Sequence, residues 1–197
     1  MKELTKRQKQ AIDTRNKLIE SAEKLFNERS YTDVNIIDIC KDVGVSKGSF
    51  YYHFPSKIDI YHKFVDNKYE HSYIDKMANY EEMTFDERIN QLIEIICDVL
   101  LSTGVENFRN YISESIMDEQ FVSTLQDRKV IWIFNKIITD AQKSGEISSD
   151  IKTLLLTEDF YFLLFGVIVE WGLRGGSLDI GAKLKERASY FTEKIRI

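Results

Sequence analysis

The chain has 197 residues, 43% hydrophobic and 30% charged, with one proline and nine glycines, which excludes wholesale disorder and low-complexity architecture and provides for one or two closely packed units. Its formal net charge of −5 is unevenly spread: residues 1–57 carry 11 Lys+Arg against 8 Asp+Glu, a balance of +3, and the remainder carries 16 against 24, a balance of −8. An acidic body with a basic end offers one surface to a polyanion and discourages indiscriminate binding.

In chain order, Lys2, Lys6, Arg7 and Lys9 form a basic, poorly patterned start, open to two readings: an arm reaching phosphate, or a solvated terminus. From Ala11 to Glu28 the residues Ala11, Ile12, Leu18, Ile19, Ala22, Leu25 and Phe26 form one apolar stripe, which predicts a helix. Ile36, Ile39, Cys40 and Val43 then recur at helical spacing, with Asn35 as N-cap and Asp38 at the third helical position. Gly44 supplies a left-handed turn residue, Val45 drops inward and Ser46 caps a second, short helix over about Lys47 to His53. The pattern is helix, tight turn, helix.

The second of these helices is too short to stand alone in water, so its neighbours must hold it. By spacing, Phe50 and Phe54 face the core, while Lys47, Gly48, Ser49, Tyr51, Tyr52 and His53 face outward. Donors, flat rings and a glycine on one face suit a groove with phosphate walls. Ser56 and Asp59 form a capping-box-like pair that opens a further helix. Lys57 in its first turn opposes the helix dipole, which an adjacent phosphate would explain.

Thr14-Arg15, Leu18 to Phe26, Tyr31, Asp38-Ile39, the run Gly44 to Phe54 and Ser56-Lys57 together resemble the N-terminal domain of the TetR family of bacterial transcriptional repressors. The resemblance covers roughly the first third of the chain, and its motif is denser than a bare helix-turn-helix pattern. Ser30 stands where the family commonly has glycine, and Val34 and Ile37 replace positions that are often threonine and a polar residue. The resemblance adds Thr14 and Arg15 as backbone contacts. The expected DNA-facing set is therefore Thr14, Arg15, Asn35, Ser46, Lys47, Gly48, Ser49, Tyr51, Tyr52, His53 and Lys57.

Beyond Ser56 a long helix carries Ile58, Tyr61, His62, Val65, Tyr69, Tyr73 and Met77 and links the reading domain to the rest of the chain. Thr84 can cap the next helix. Helices are predicted over Phe85 to Ser102, Val105 to Met117, Glu119 to Lys143, Asp150 to Leu173 and Ile180 to Ile195, punctuated by Gly104, Ser144-Gly145 and Gly175-Gly176. The fold class is all-α, about nine helices, with no period-two alternation to argue for a sheet. The expected domains are 1–57, a three-helix DNA-binding domain, and 58–197, a larger helical domain for effector binding and dimerisation.

The segment from Phe160 to Trp171 is apolar all round and must be covered on more than one side. Phe160, Leu164, Val167, Ile168 and Trp171 lie on one side, and Phe162, Phe165, Val169 and Leu173 on another; one can face the core and the other a second copy. Gly166 and Gly172 permit close backbone approach. The family resemblance implies a two-fold dimer through the last two helices, with Phe160, Leu164, Ile168 and Trp171 as the expected interface. Two recognition helices set one turn of B-DNA apart, about 34–36 Å, would then read a palindrome.

The resemblance also implies an effector pocket, for which the candidates are Tyr69, Tyr73, Phe108, Tyr111, Trp132, Phe162 and Phe165, with Glu114, Asn135, Glu158 and Glu170 as possible polar anchors. Core packing explains the same aromatics. No phosphate loop, nucleophile elbow, zinc-protease pair or dinucleotide fingerprint is present, so neither an enzyme nor a cofactor is expected. Three scattered histidines make no metal motif, and Cys40 and Cys97 fall at apolar helical positions that suit small buried hydrophobes. No apolar run reaches 18 residues and no secretory leader is evident, so a cytoplasmic protein without membrane contact is expected. The leading expectation is a dimeric repressor released from a double-stranded operator by a small, largely apolar effector. The alternative is a helical small-molecule carrier or sensor without specific DNA binding.

Overall fold

The computed structural model describes residues 4–117 and 128–196. Among the described residues the fold is all-α, nine helices with short 3-10 turns at Tyr31–Asp33 and Tyr80–Glu82; the only strand-like pairing is a single antiparallel bridge between Ile147 and Arg196. The chain divides into two compact units, with the boundary between Asn67 and Lys68.

The first unit holds α1 (Lys6–Glu28), α2 (Ile36–Val43), α3 (Lys47–His53) and the start of α4 (Lys57–Lys76). The basic start is helical from Lys6, five residues before the apolar stripe predicts. The reason is a capping box: Thr5 Oγ1 accepts from the Gln8 N–H at 3.3 Å, and the Gln8 side chain accepts from the Thr5 N–H at 2.9 Å. The helices converge on an aromatic cluster: Phe26 and Tyr61 meet edge to face at 4.9 Å, Tyr31 and Tyr61 at 4.6 Å, and Phe26 and Phe64 at 5.5 Å. Burying each such ring contributes about 1.5–3 kcal/mol, and Leu18, Val34, Ile39 and Phe50 fill the remaining core.

The second unit continues α4 and adds α5 (Phe85–Thr103), α6 (Val105–Met117), α7 (Lys129–Ser144), α8 (Thr153–Leu173) and α9 (Ile180–Ile195). Thr84 caps α5, accepting from the Glu87 N–H while the Glu87 carboxylate accepts from the Thr84 N–H at 2.8 Å. α8 packs on α7, α9 and α6, and α5 packs on α9, α7 and α6. Aromatic contacts seal the centre, with Phe160 of α8 5.1 Å from Phe134 of α7 and stacked at 4.8 Å on Phe191 of α9.

Two expected helix starts are corrected. α7 begins at Lys129, because Arg128 is extended (φ −76°, ψ 140°), so one helix does not span Glu119 to Lys143; residues 119–127 of that expectation lie outside the described residues. α8 begins at Thr153 instead of Asp150. The Gln142 amide donates to the Ser148 and Ile151 carbonyls at 3.0 and 2.8 Å, which holds the preceding residues in a turn. Cys40 is buried as expected of a small hydrophobe, whereas Cys97 is half-buried.

Candidate nucleic-acid interface

The reading helix is set by local chemistry on both sides of one glycine. The Asp38 carboxylate accepts from the Asn35 N–H at 3.1 Å and fixes the start of α2. Gly44 ends it at φ 76°, ψ 34°, where a β-carbon is strained, and the Gly44 and Val45 N–H groups both donate to the Cys40 carbonyl at 2.9 Å. Ser46 Oγ then accepts from the Ser49 N–H at 3.2 Å and starts α3.

α3 has two distinct faces. Phe50 and the following Phe54 are buried, with ring centres 5.8 Å apart, and anchor the helix. Tyr51 is 51% exposed and Tyr52 77% exposed, beside exposed Lys47 and Gly48; Ser49 and His53 are half-buried. A β-carbon at Gly48 would meet nothing closer than Ser46 Oγ at 3.7 Å, so the fold itself does not require glycine there. The free space lies on the solvent side, where a partner's backbone can approach.

Arg15 of α1 reaches this surface with its guanidinium 4.9 Å above the Phe54 ring. Burial, and secondarily the Arg15 charge, hold the His53 imidazole below its ordinary pKa. Thr14 is half-buried and Asn35 exposed. Lys57 is half-buried. Its ammonium donates to the Tyr31 carbonyl and lies 4.0 Å over the Tyr31 ring, a contact that offsets the unfavourable helix dipole in the first turn of α4. Ile37 is exposed, an apolar side chain on the solvent side of α2.

Residues 18–64 match the family profile described as "Bacterial regulatory proteins, tetR family", a span that contains α2, α3 and their aromatic support. Over this span the chain is similar to the TetR family. It is 23% identical over 181 residues to the biofilm operon icaADBC negative transcriptional regulator IcaR of Staphylococcus aureus (strain Newman), covering 92% of this chain and 94% of IcaR. It is 24% identical over 171 residues to the transcriptional regulator UidR of Escherichia coli (strain K12), covering 83% and 84%. Its fold matches the regulator FadR of Bacillus subtilis, solved in complex with stearoyl-CoA, with a TM-score of 0.62 at 16% identity over 91% of this chain and 98% of that one.

α2, the Gly44 turn and α3 form a helix-turn-helix, and the chain is similar to named transcriptional regulators over 83–92% of its length. In the second unit, among the described residues, Tyr73 and Trp132 of the expected pocket set meet edge to face at 5.5 Å. Tyr69 and Phe108 are buried, Tyr73, Tyr111 and Phe165 half-buried, Trp132 and Phe162 exposed. The Arg128 guanidinium donates to the Tyr111 hydroxyl at 3.1 Å, and Phe165 stacks on Tyr161 at 5.6 Å. Glu170, a possible anchor, pairs with Arg174 at 2.8 Å. A cleft of about 320 Å³ does open between α6 and α8, lined by Phe108, Ile112, Ser113, Ile116, Val169 and Leu173 among others; of the seven expected aromatics it includes Phe108 alone.

Phe160, Leu164, Ile168 and Trp171, the expected interface residues, are buried within the single chain. The opposite flank of α8 is the open one: Phe162 is 54% exposed, Leu173 77% exposed, and Gly166 and half-buried Val169 lie between them at helical spacing. Gly172, not Gly166, makes the close approach within the chain. Among the described residues no cluster of three or more His, Cys, Asp or Glu is placed to hold a metal ion, and no helix is long and apolar enough to cross a membrane.

Proposed function

We infer that the chain is a ligand-responsive repressor that binds a palindromic operator as a homodimer and leaves it on binding a small, largely apolar effector. The observation that carries this reading is the two-faced recognition helix, with Phe50 fully buried and Tyr52 exposed beside Lys47 and an unobstructed Gly48. Exposed aromatic and cationic groups at the start of a helix are the chemistry of base-edge and phosphate contact. Thr14, Arg15, Asn35, Ser46, Ser49, Tyr51 and His53 complete the contact surface. Lys57, in the first turn of α4, is the remaining expected contact, with its ammonium also bonded to the Tyr31 carbonyl.

One such helix contacts few bases, so specific affinity needs two. The open flank of α8, Phe162-Gly166-Val169-Leu173, is the apolar surface that a second copy would cover, with Gly166 letting the helices approach. Val169 and Leu173 also line the α6–α8 cleft, so an effector lodged there would press on the pairing flank. The effector shifts the equilibrium only by its differential affinity for the two spacings of the reading heads.

The test is a gel-shift of the purified protein against its own upstream DNA at moderate salt, alongside sedimentation of the wild type and Phe162→Glu. Specific retardation of a two-fold site by a dimer, lost in the variant as it becomes monomeric, is expected. A folded protein that gives no specific retardation would instead be a carrier or sensor.

A further inference from the structure

Glu70 and Tyr73 of α4 and Trp132 of α7 enclose the ammonium of Lys129. Its Nζ lies 4.5 Å from the centre of the Trp132 ring, 6.0 Å from that of Tyr73 and 3.2 Å from a Glu70 carboxylate oxygen. The two rings stand edge to face, 5.5 Å apart at 75°, so they form two walls of a corner instead of a flat stack. Trp132 is 48% exposed, which leaves the corner open to solvent.

Lys129 is not a comfortable occupant on local grounds. It is the first residue of α7, where the helix dipole disfavours a cation, and the first turn of α7 holds no acidic residue to compensate. The corner offers it two π faces and a carboxylate. That combination recognises ammonium ions, and it suits methylated ones best: their charge is spread over methyl groups that shed water easily, whereas a lysine ammonium is compact and strongly hydrated. A flexible side chain can also swing out without disturbing the backbone.

We propose that Glu70, Tyr73 and Trp132 form a binding site for small quaternary ammonium cations, which the chain's own Lys129 fills in their absence. The bound cation takes the place of the Lys129 ammonium between the rings, Glu70 balances its charge, and Lys129 turns to water. The site is separate from the apolar α6–α8 cleft and does not depend on the operator-release reading.

The experiment is calorimetric titration of the full chain with tetramethylammonium, and with choline against its neutral isostere 3,3-dimethylbutanol. Lys129→Gln removes the tethered competitor and a repelling charge, so it is expected to tighten tetramethylammonium binding several-fold. Adding Trp132→Leu to Lys129→Gln abolishes the binding, with the melting temperature confirming an intact fold. Failure of both the wild type and Lys129→Gln to bind tetramethylammonium would overturn the proposal. So would equal binding of choline and the neutral isostere, or binding that survives Trp132→Leu.

Discussion

The ring of Phe108 occupies the space that Gly172 leaves by having no side chain: a β-carbon at Gly172 would lie 2.8 Å from Phe108 Cε1. Phe108 cannot easily retreat, because it is buried and its ring packs 5.7 Å from that of Trp171. Gly172→Ala is therefore expected to cost about 1–3 kcal/mol by overpacking and to deform the α6–α8 cleft. Thermal melting reads the first effect. A crystal structure of the variant with an unmoved Phe108 would contradict the packing described.

The exposure of Tyr52 predicts a separation of stability from binding. Tyr52→Ala should change stability by no more than about 0.5 kcal/mol, since the side chain is mostly in water, while weakening specific operator binding by about 1–3 kcal/mol. Lys47→Ala should weaken specific and non-specific sites alike and reduce the salt slope by about 1. Fluorescence anisotropy across a salt series separates the two; unchanged operator affinity in both variants would remove α3 from the interface.

Lys57 should behave in the opposite way to Lys47. Its ammonium is bonded to the Tyr31 carbonyl and covers the Tyr31 ring, so Lys57→Met is expected to destabilise the chain by about 1.5–3 kcal/mol, in the range of a charged hydrogen bond. Chemical denaturation measures this. A variant of wild-type stability whose salt slope is lowered would show Lys57 to be a phosphate contact instead.

His53 gives the first unit a pH response. Burial, with a smaller push from Arg15, lowers its native pKa beneath the ordinary 6.5. Native structure therefore favours the neutral ring. The stabilisation is complete above pH 6.5 and is lost as the pH falls through the lowered native value. Melting temperatures should fall more steeply below pH 6.5 in the wild type than in His53→Gln. Parallel curves would sink this assignment.

The helix-turn-helix was legible from the amino acids alone because every signal in it is local. Asn35 with Asp38, Gly44, and Ser46 with Ser49 each act within three residues or at a single backbone position, and helical spacing separates Phe50 and Phe54 from Tyr51 and Tyr52. The early start of α1 was legible by the same rule, in Thr5 and Gln8, although the run of basic residues obscured it. Lys57 was not, since its partner Tyr31 lies 26 residues away and only the packing of the 3-10 turn on α4 brings them together.

α8 shows the other limit. Its sequence is apolar on both flanks, so periodicity states that both must be covered without stating by what. The choice fell to Phe134 of α7 and Phe191 of α9, which claim Phe160 and draw Leu164, Ile168 and Trp171 inward, leaving Phe162 and Leu173 outside. The pairing of the expected pocket aromatics was hidden for the same reason. Aromatic content fixes how much apolar surface must be buried, whereas which rings share a wall, as Tyr73 and Trp132 do, depends on how helices distant in the chain are packed together.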